Sequence, residues 1–304
     1  MSDPSMPSMT DTSRTARRFG LAASKLHRAS PDGGLLTWAR ESGDTLRAMG
    51  LRLHAVGGAY ATLSRSASLG GYEGLVAYPS GGEGGLMRLV SHIAGGAYEN
   101  QALDGIIYLI DPVDPSTLYP EAAALKRQCV THQKPFISTV AGAIEWMAVE
   151  GAHAGVVDDT ARGLLDVSKR NLALIAHDAL KAQMVEFAAD NFDLLSRAAS
   201  RVATGTTGQR LNELAWSRGW PRATPWVHRY LSGPLGGDAQ IAERVLDQRC
   251  DKVLFFEDPH VARQHEADIQ LLERSVCSVT RHATCANSPA MARRWAVAVG
   301  IASS

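Results

Sequence analysis

The sequence predicts two tandem α/β domains, each built on a parallel sheet, and three observations lead there. The chain repeats itself. RRFGLAASKL, RLHAVGGAYATL, EGLVAYPSGGEGGLMRLV, LDGIIYLIDPVDPSTLYPEAAALKRQC and KPFISTVAGAIEWM in the first half are answered by KRNLALIAHDAL, RVATGTTGQRL, HRYLSGPLGGDAQIAERV, CDKVLFFEDPHVARQHEADIQLLERSV and RHATCANSPAMARRW in the second. Five segments in the same order mark a duplicated domain. Within each copy, short apolar runs such as LALIAH, KVLFFEDP and GIIYLIDP alternate with stretches of helical length, the pattern of βαβ units. Finally, turns carrying glycine or Asp-Pro close these runs, and the carboxyl ends of parallel strands are where such sheets hold ligands.

In chain order, residues 1–16 are rich in Ser and Thr and read as a disordered lead, without the apolar core of a signal peptide. Residues 17–150 form the first copy. Residues 151–169 link the copies and include a short connecting helix, and residues 170–304 form the second copy. Within it, residues 180–200 place Met184, Phe187, Leu194 and Leu195 on a helical, core-facing stripe.

A length of 304 residues fits two domains, and 45% apolar with 20% charged residues is ordinary for a globular protein. The net charge is +0. No global field therefore draws the protein to nucleic acid or anionic membrane, and a phosphate-sized ligand needs a local site. No run of 18 apolar residues offers a membrane span. Cys129, Cys250, Cys277 and Cys285 show no CxxC spacing, which fits a reducing, cytoplasmic compartment better than a disulfide scaffold.

The second copy concentrates chemistry at its presumed strand ends. In ATGTTG, residues 203–208, main-chain N–H groups and the hydroxyls of Thr204, Thr206 and Thr207 can converge on an oxyanion, with Gly205 allowing close approach. Lys181, one turn into the helix after LALIAH, adds positive charge. His177 and Asp178 end that first strand, Asp238 follows Gly236 and Gly237, and His265 and Asp268 lie three apart beyond Asp258-Pro259. Taken singly, each has a plain structural use as a cap, a surface charge or a satisfied polar group. Four acids and two histidines together exceed what capping requires. Such a set suits proton transfer, in which a carboxylate removes a proton beside a carbonyl and a histidine steadies the enediolate oxygen.

Over residues 170–290, through AHDALK, ATGTTG, SGPLGGD and DPHVARQHEAD, the chain resembles the methylglyoxal synthase family. The resemblance implies Rossmann-like three-layer domains and a lyase that converts dihydroxyacetone phosphate to methylglyoxal and inorganic phosphate without metal or organic cofactor. It casts His177, Lys181, Thr204, Gly205, Thr206, Thr207, Ser232, Gly233 and His265 as substrate contacts and Asp238 as the catalytic carboxylate. Asp178, Asp258 and Asp268 become supporting acids. It further implies a homo-oligomer, a trimer of double domains or a dimer. The alternative is a sensing or regulatory protein of the same fold that binds a phosphate ester or nucleotide, which would have no use for Asp238 and His265 together.

The first copy keeps the frame and loses donors. Aligned by sequence, Gly58 and Ala59 stand opposite Thr206 and Thr207, Ala77 opposite Ser232, Ser24 opposite His177, and Leu118 opposite His265. No basic residue is matched to Lys181. Glu83 aligns with Asp238, Asp111 with Asp258, and Glu121 with Asp268. The expectation is a non-catalytic partner, at most holding a neutral or cationic ligand through Glu83 and Glu121.

Overall fold

The computed structural model describes residues 16–115, 120–260 and 266–304, with the side chains of residues 266–269 excepted. The lead expected at residues 1–16 thus lies outside the described residues, its last position apart. Ten strands follow: β1 (Arg18–Ala23), β2 (Arg52–Val56), β3 (Leu75–Tyr78), β4 (Gly105–Leu109), β5 (Phe136–Ile137), β6 (Asn171–Ala176), β7 (Ser200–Ala203), β8 (His228–Arg229), β9 (Lys252–Phe256) and β10 (Thr284–Ala286). The helices of the first half are α1 (Lys25–Arg28), α2 (Gly34–Met49), α3 (Gly57–Leu63), α4 (Gly85–Ile93), α5 (Pro120–Thr131) and α6 (Val140–Ala154). After the connecting helix α7 (Asp159–Leu164) come α8 (Lys181–Asp190), α9 (Phe192–Ser196), α10 (Gly205–Ser217), α11 (Gly237–Leu246), α12 (Glu266–Ser278) and α13 (Pro289–Ser303).

The strands form two five-stranded sheets of the same order, β3-β2-β1-β4-β5 and β8-β7-β6-β9-β10, with every pairing parallel. These are the two tandem Rossmann-like α/β domains that the repeated βαβ pattern predicts. The order reverses direction between β1 and β4, and again between β6 and β9. That reversal opens a crevice at the carboxyl ends, the usual place for a ligand in such sheets.

Strand alternation builds three layers. Leu172, Leu174 and Ala176 of β6 point into one core while Ala173 and Ile175 point into another on the opposite face. Leu21 and Ala22 of β1 divide in the same way. The core on one side is continuous through the whole molecule, running from Phe19 and Trp38 through Trp146 to Trp226 and Trp295. Helix α6 sits at its centre, buried on nearly every side, as expected for a helix that is apolar apart from Glu145, Glu150 and His153. The stripe expected over 180–200 is two helices, α8 and α9, meeting at Asn191; Met184, Phe187 and Leu195 are fully buried.

Polar links also cross between the halves. The buried carboxylate of Glu150 accepts from Arg17 of β1's approach at 2.7 Å and from Arg294 of α13 at 2.6 Å. Lys126 of α5 ion-pairs with Glu257, 2.6 Å away, and with Glu273. All four cysteines are free, and burial pushes the Cys277 thiol up to about 11 and those of Cys250 and Cys285 to about 12, so these thiols stay protonated and unreactive. Among the described residues no helix is long and apolar enough to cross a membrane.

Candidate active site at the strand ends of the second sheet

His177 is the latch of the crevice. Its N–H donates to Phe256 O at 3.1 Å, carrying the β6–β9 ladder one residue past β6. Its Nδ1 accepts from the Asp258 N–H at 2.8 Å. That bond leaves Nδ1 unprotonated, so in the neutral ring the proton sits on Nε2. The imidazole meets the Phe255 ring edge to face, with centroids 4.9 Å apart. The Asp258 carboxylate accepts from the His260 N–H at 2.9 Å and so shapes the turn after β9.

One turn on, Lys181 ion-pairs with Asp178. The lysine side chain is largely covered, whereas that of Asp178 is 94% exposed. Asp178 thus fixes the ammonium from the solvent side. An ammonium has three donors, which leaves others for a ligand.

After β7 the chain turns directly into α10. Thr204 takes the cap position with extended backbone and makes no side-chain cap bond, so the Thr206 and Thr207 amides in the first turn of α10 receive no cap from it. Thr204 and Thr207 are buried and Thr206 is exposed. Thr207 Oγ1 is buried without a hydrogen-bond partner among the described residues, a state that costs about 1–3 kcal/mol.

The loop after β8 locks onto this helix start. The Gly205 N–H donates to Leu231 O at 2.8 Å, and a Cβ on Gly205 would stand 2.8 Å from Ser232 N. The approach therefore requires glycine. Gly236 follows in the left-handed region at φ 97°, and a Cβ on Gly237 would fall 1.9 Å from Leu231 O. Asp238, at the start of α11, lays its carboxylate across Gly233, where a Cβ would come within 2.6 Å of Oδ2.

Of the residues expected at the site, His177, Asp178, Lys181, Thr204, Gly205, Thr206, Thr207, Ser232, Gly233, Asp238 and Asp258 therefore lie along one carboxyl edge, on four adjacent strand ends. His265 lies outside the described residues. Asp268 falls on α12, with its side chain also outside them. Sequence reasoning missed Phe255, which buttresses His177; the alternation of KVLFF carries the signal, since it puts Phe255 on the face of Ala173 and Ile175.

The first half is built the same way and corrects three of the matches expected from sequence. The Ser24 N–H donates to Leu109 O at 2.9 Å and Ser24 Oγ accepts from the Asp111 N–H at 3.1 Å, so Ser24 does hold the place of His177. In the loop after β3, the Gly57 N–H bonds Pro79 O at 3.3 Å and the Gly85 N–H bonds Ser80 O at 2.9 Å. These repeat the Gly205–Leu231 and Gly237–Ser232 bonds. Gly84, at φ 82°, repeats Gly236. The register is thereby fixed: Ser80, not Ala77, stands opposite Ser232, and Leu86, not Glu83, stands opposite Asp238. Glu83 is a cap, accepting from the Ser80 N–H at 3.0 Å and Oγ–H at 2.8 Å, bonds that hold its carboxyl below the usual range. Lastly, the His27 N–H bonds Ser24 O as the Leu180 N–H bonds His177 O. Arg28 therefore stands where Lys181 does, although the sequence alignment matched no base there.

No family model matches the chain. Among curated proteins it is similar to a methylglyoxal synthase of Thermus thermophilus, 47% identical over 108 residues, which are 36% of this chain and 78% of that protein. It is 41% identical to the methylglyoxal synthase of Clostridium beijerinckii, over 38% of this chain and 89% of the relative. With that of Ralstonia nicotianae it shares 41% over 135 residues, 44% of this chain and 91% of the relative. Among solved structures, methylglyoxal synthase from Elizabethkingia anophelis is 32% identical with a TM-score of 0.33, over 41% of this chain and 76% of that one. These curated matches cover 36–44% of this chain, and the extent to which those relatives are covered makes the assignment: the chain belongs to the methylglyoxal synthase family of lyases.

Proposed function

We propose that the second half eliminates phosphate from dihydroxyacetone phosphate to give methylglyoxal. The observation that carries this reading is the placement of the Asp238 carboxylate across Gly233, in one rigid loop with Ser232 and against the start of α10. A base and an oxyanion cradle are thereby held side by side on backbone that cannot spread.

The residues divide the work. The Thr206 and Thr207 amides at the start of α10, the Thr204, Thr206 and Thr207 hydroxyls, Ser232 and Lys181 hold the phosphate. Asp238 removes a proton from the hydroxymethyl carbon. The electron pair moves toward the carbonyl oxygen, where His265 donates a hydrogen bond; His177, with Nδ1 committed to Asp258, stands at the end of β6 as a further substrate contact. The enediolate then expels phosphate as the C–O bond breaks, and the enol product tautomerises to methylglyoxal. Donors already fixed in place stabilise the developing charge without the reorganisation that solvent would need. Holding the phosphate–carbon bond in line with the enediolate π system favours elimination over reprotonation.

The test is direct. Purified protein given dihydroxyacetone phosphate, without added metal, is expected to release methylglyoxal and inorganic phosphate in equal amounts. Release of neither product overturns the assignment of this substrate.

A further inference from the structure

The crevice of the first sheet is not closed. A cavity of about 440 Å³ opens there, within the range of small-metabolite sites. Its lining includes Ser24, Lys25, Arg28 and Leu86 together with Asp114 and Glu121. Arg28 holds the Lys181 place, and its Nε donates to Ala23 O at 2.9 Å. That bond orients the guanidinium, and among the described residues no hydrogen bond or ion pair occupies its two terminal nitrogens.

The replacements in this half compensate one another. Where the second half has Thr206 and Lys181, the first has Gly58 and Arg28. A Cβ on Gly58 would stand 2.3 Å from Arg28 Nη1, so the loss of the threonine side chain is what makes room for the guanidinium. The same is true beside it. His177 on Phe255 becomes Ser24 beside Tyr108, whose phenol burial pushes up while the Ser24 hydroxyl partly offsets the shift. A site decaying without use would not exchange neighbours in matched pairs. An arginine whose terminal N–H groups have no partner among the described residues suits an oxyanion better than a lysine does. The acids of the lining can accept from hydroxyl groups. Leu86 in the place of Asp238 removes the only counterpart of the catalytic base.

We propose that the first-half cavity is a second, non-catalytic site that binds a small hydroxylated phosphate ester, its phosphate on Arg28 and Lys25 and its hydroxyls toward Glu121. This reading replaces the neutral or cationic ligand expected from sequence, because Glu83 lies outside the role assigned to it and two cations line the wall.

The proposal does not rest on turnover. Titration of the full chain with inorganic phosphate and with glycerol 3-phosphate, which has no carbonyl and cannot react, is expected to show two bound anions per chain, with glycerol 3-phosphate the tighter at the first-half site. Arg28→Ala should weaken one of them by about 10²-fold and leave the other. Lys181→Ala should do the reverse. Gly58→Thr, which displaces the guanidinium without removing it, should match Arg28→Ala, and Arg28→Lys should restore part of the affinity. One anion per chain that is lost in Lys181→Ala, or two that persist in both Arg28→Ala and Gly58→Thr, would overturn the second site. Failure of the elimination assay with two anions still bound would sink the proposed reaction alone.

Discussion

Lys252 of β9 and Glu145 of α6 form an ion pair wholly buried between the two halves. The Lys252 ammonium also lies over the Trp295 ring, 4.9 Å from its centroid. Burial lowers the pKa of this lysine and the Glu145 charge opposes the shift. Removing one partner strands the other charge in a medium that solvates it poorly. Glu145→Gln or Lys252→Met alone should therefore cost about 3–5 kcal/mol, whereas Glu145→Leu with Lys252→Met should recover most of the loss. Urea-unfolding midpoints of the three variants check this; additive losses in the double variant would deny the coupling.

Asp238→Asn should keep phosphate affinity, or raise it by removing a repulsive charge, and should reduce turnover by about 10²-fold or more. Lys181→Ala should weaken phosphate binding and turnover together. Steady-state kinetics with parallel phosphate titrations separate the two effects. Near-full turnover in Asp238→Asn would move the base to another carboxylate of the site.

Gly237→Ala and Gly85→Ala occupy equivalent places, and both insert a Cβ into a carbonyl, Leu231 O at 1.9 Å and Pro79 O at 2.1 Å. Backbone has nowhere to retreat in either loop. Each substitution should destabilise by roughly 1–3 kcal/mol or more, but only Gly237→Ala should also depress turnover, because only that loop bears Asp238. Thermal melts read beside activity distinguish the pair.

His54 gives the stability a dependence on pH. Burial, reinforced by Arg18, Arg52 and His92, lowers its pKa from 6.5 to about 4. The folded protein thus binds fewer protons than the unfolded chain between those values, and stability rises with pH across that window. The contribution is complete above about pH 6.5 and lost as the pH falls toward about 4, on the order of 3 kcal/mol in all. His54→Gln should flatten this part of the profile in urea titrations from pH 4 to pH 7; an unchanged slope would assign it to other groups.

Much of this was legible in the sequence because it depends on local period. The duplication, the parallel strands and the gathering of His177, Lys181, the 204–207 turn, Ser232 and Asp238 at strand ends follow from apolar runs and the turns that close them. Register within a loop is different. SGGEGG and SGPLGGD can be slid to put acid opposite acid, and only the left-handed Gly84 and the crowded Gly85 show that Leu86 faces Asp238. Arg28 was hidden more shallowly. It follows Ser24 by four residues as Lys181 follows His177, yet the segment match assigned no base there until the hydrogen bonds of α1 were known. The Lys252–Glu145 pair was out of reach, since nothing local marks two charges 107 residues apart as partners.

The core through α6 joins both halves in one packed interior. Trp38 and Trp146 on one side and Trp226 and Trp295 on the other are sealed by the same packing. An ancestor with a single copy could stand alone or find its neighbours by collision; here the neighbour is covalently supplied and its contact surface has become interior. A truncated second half would turn Trp295 and Val299 toward water and would aggregate or recruit a substitute face. The first copy is thus held in place by this packing whether or not its cavity is filled.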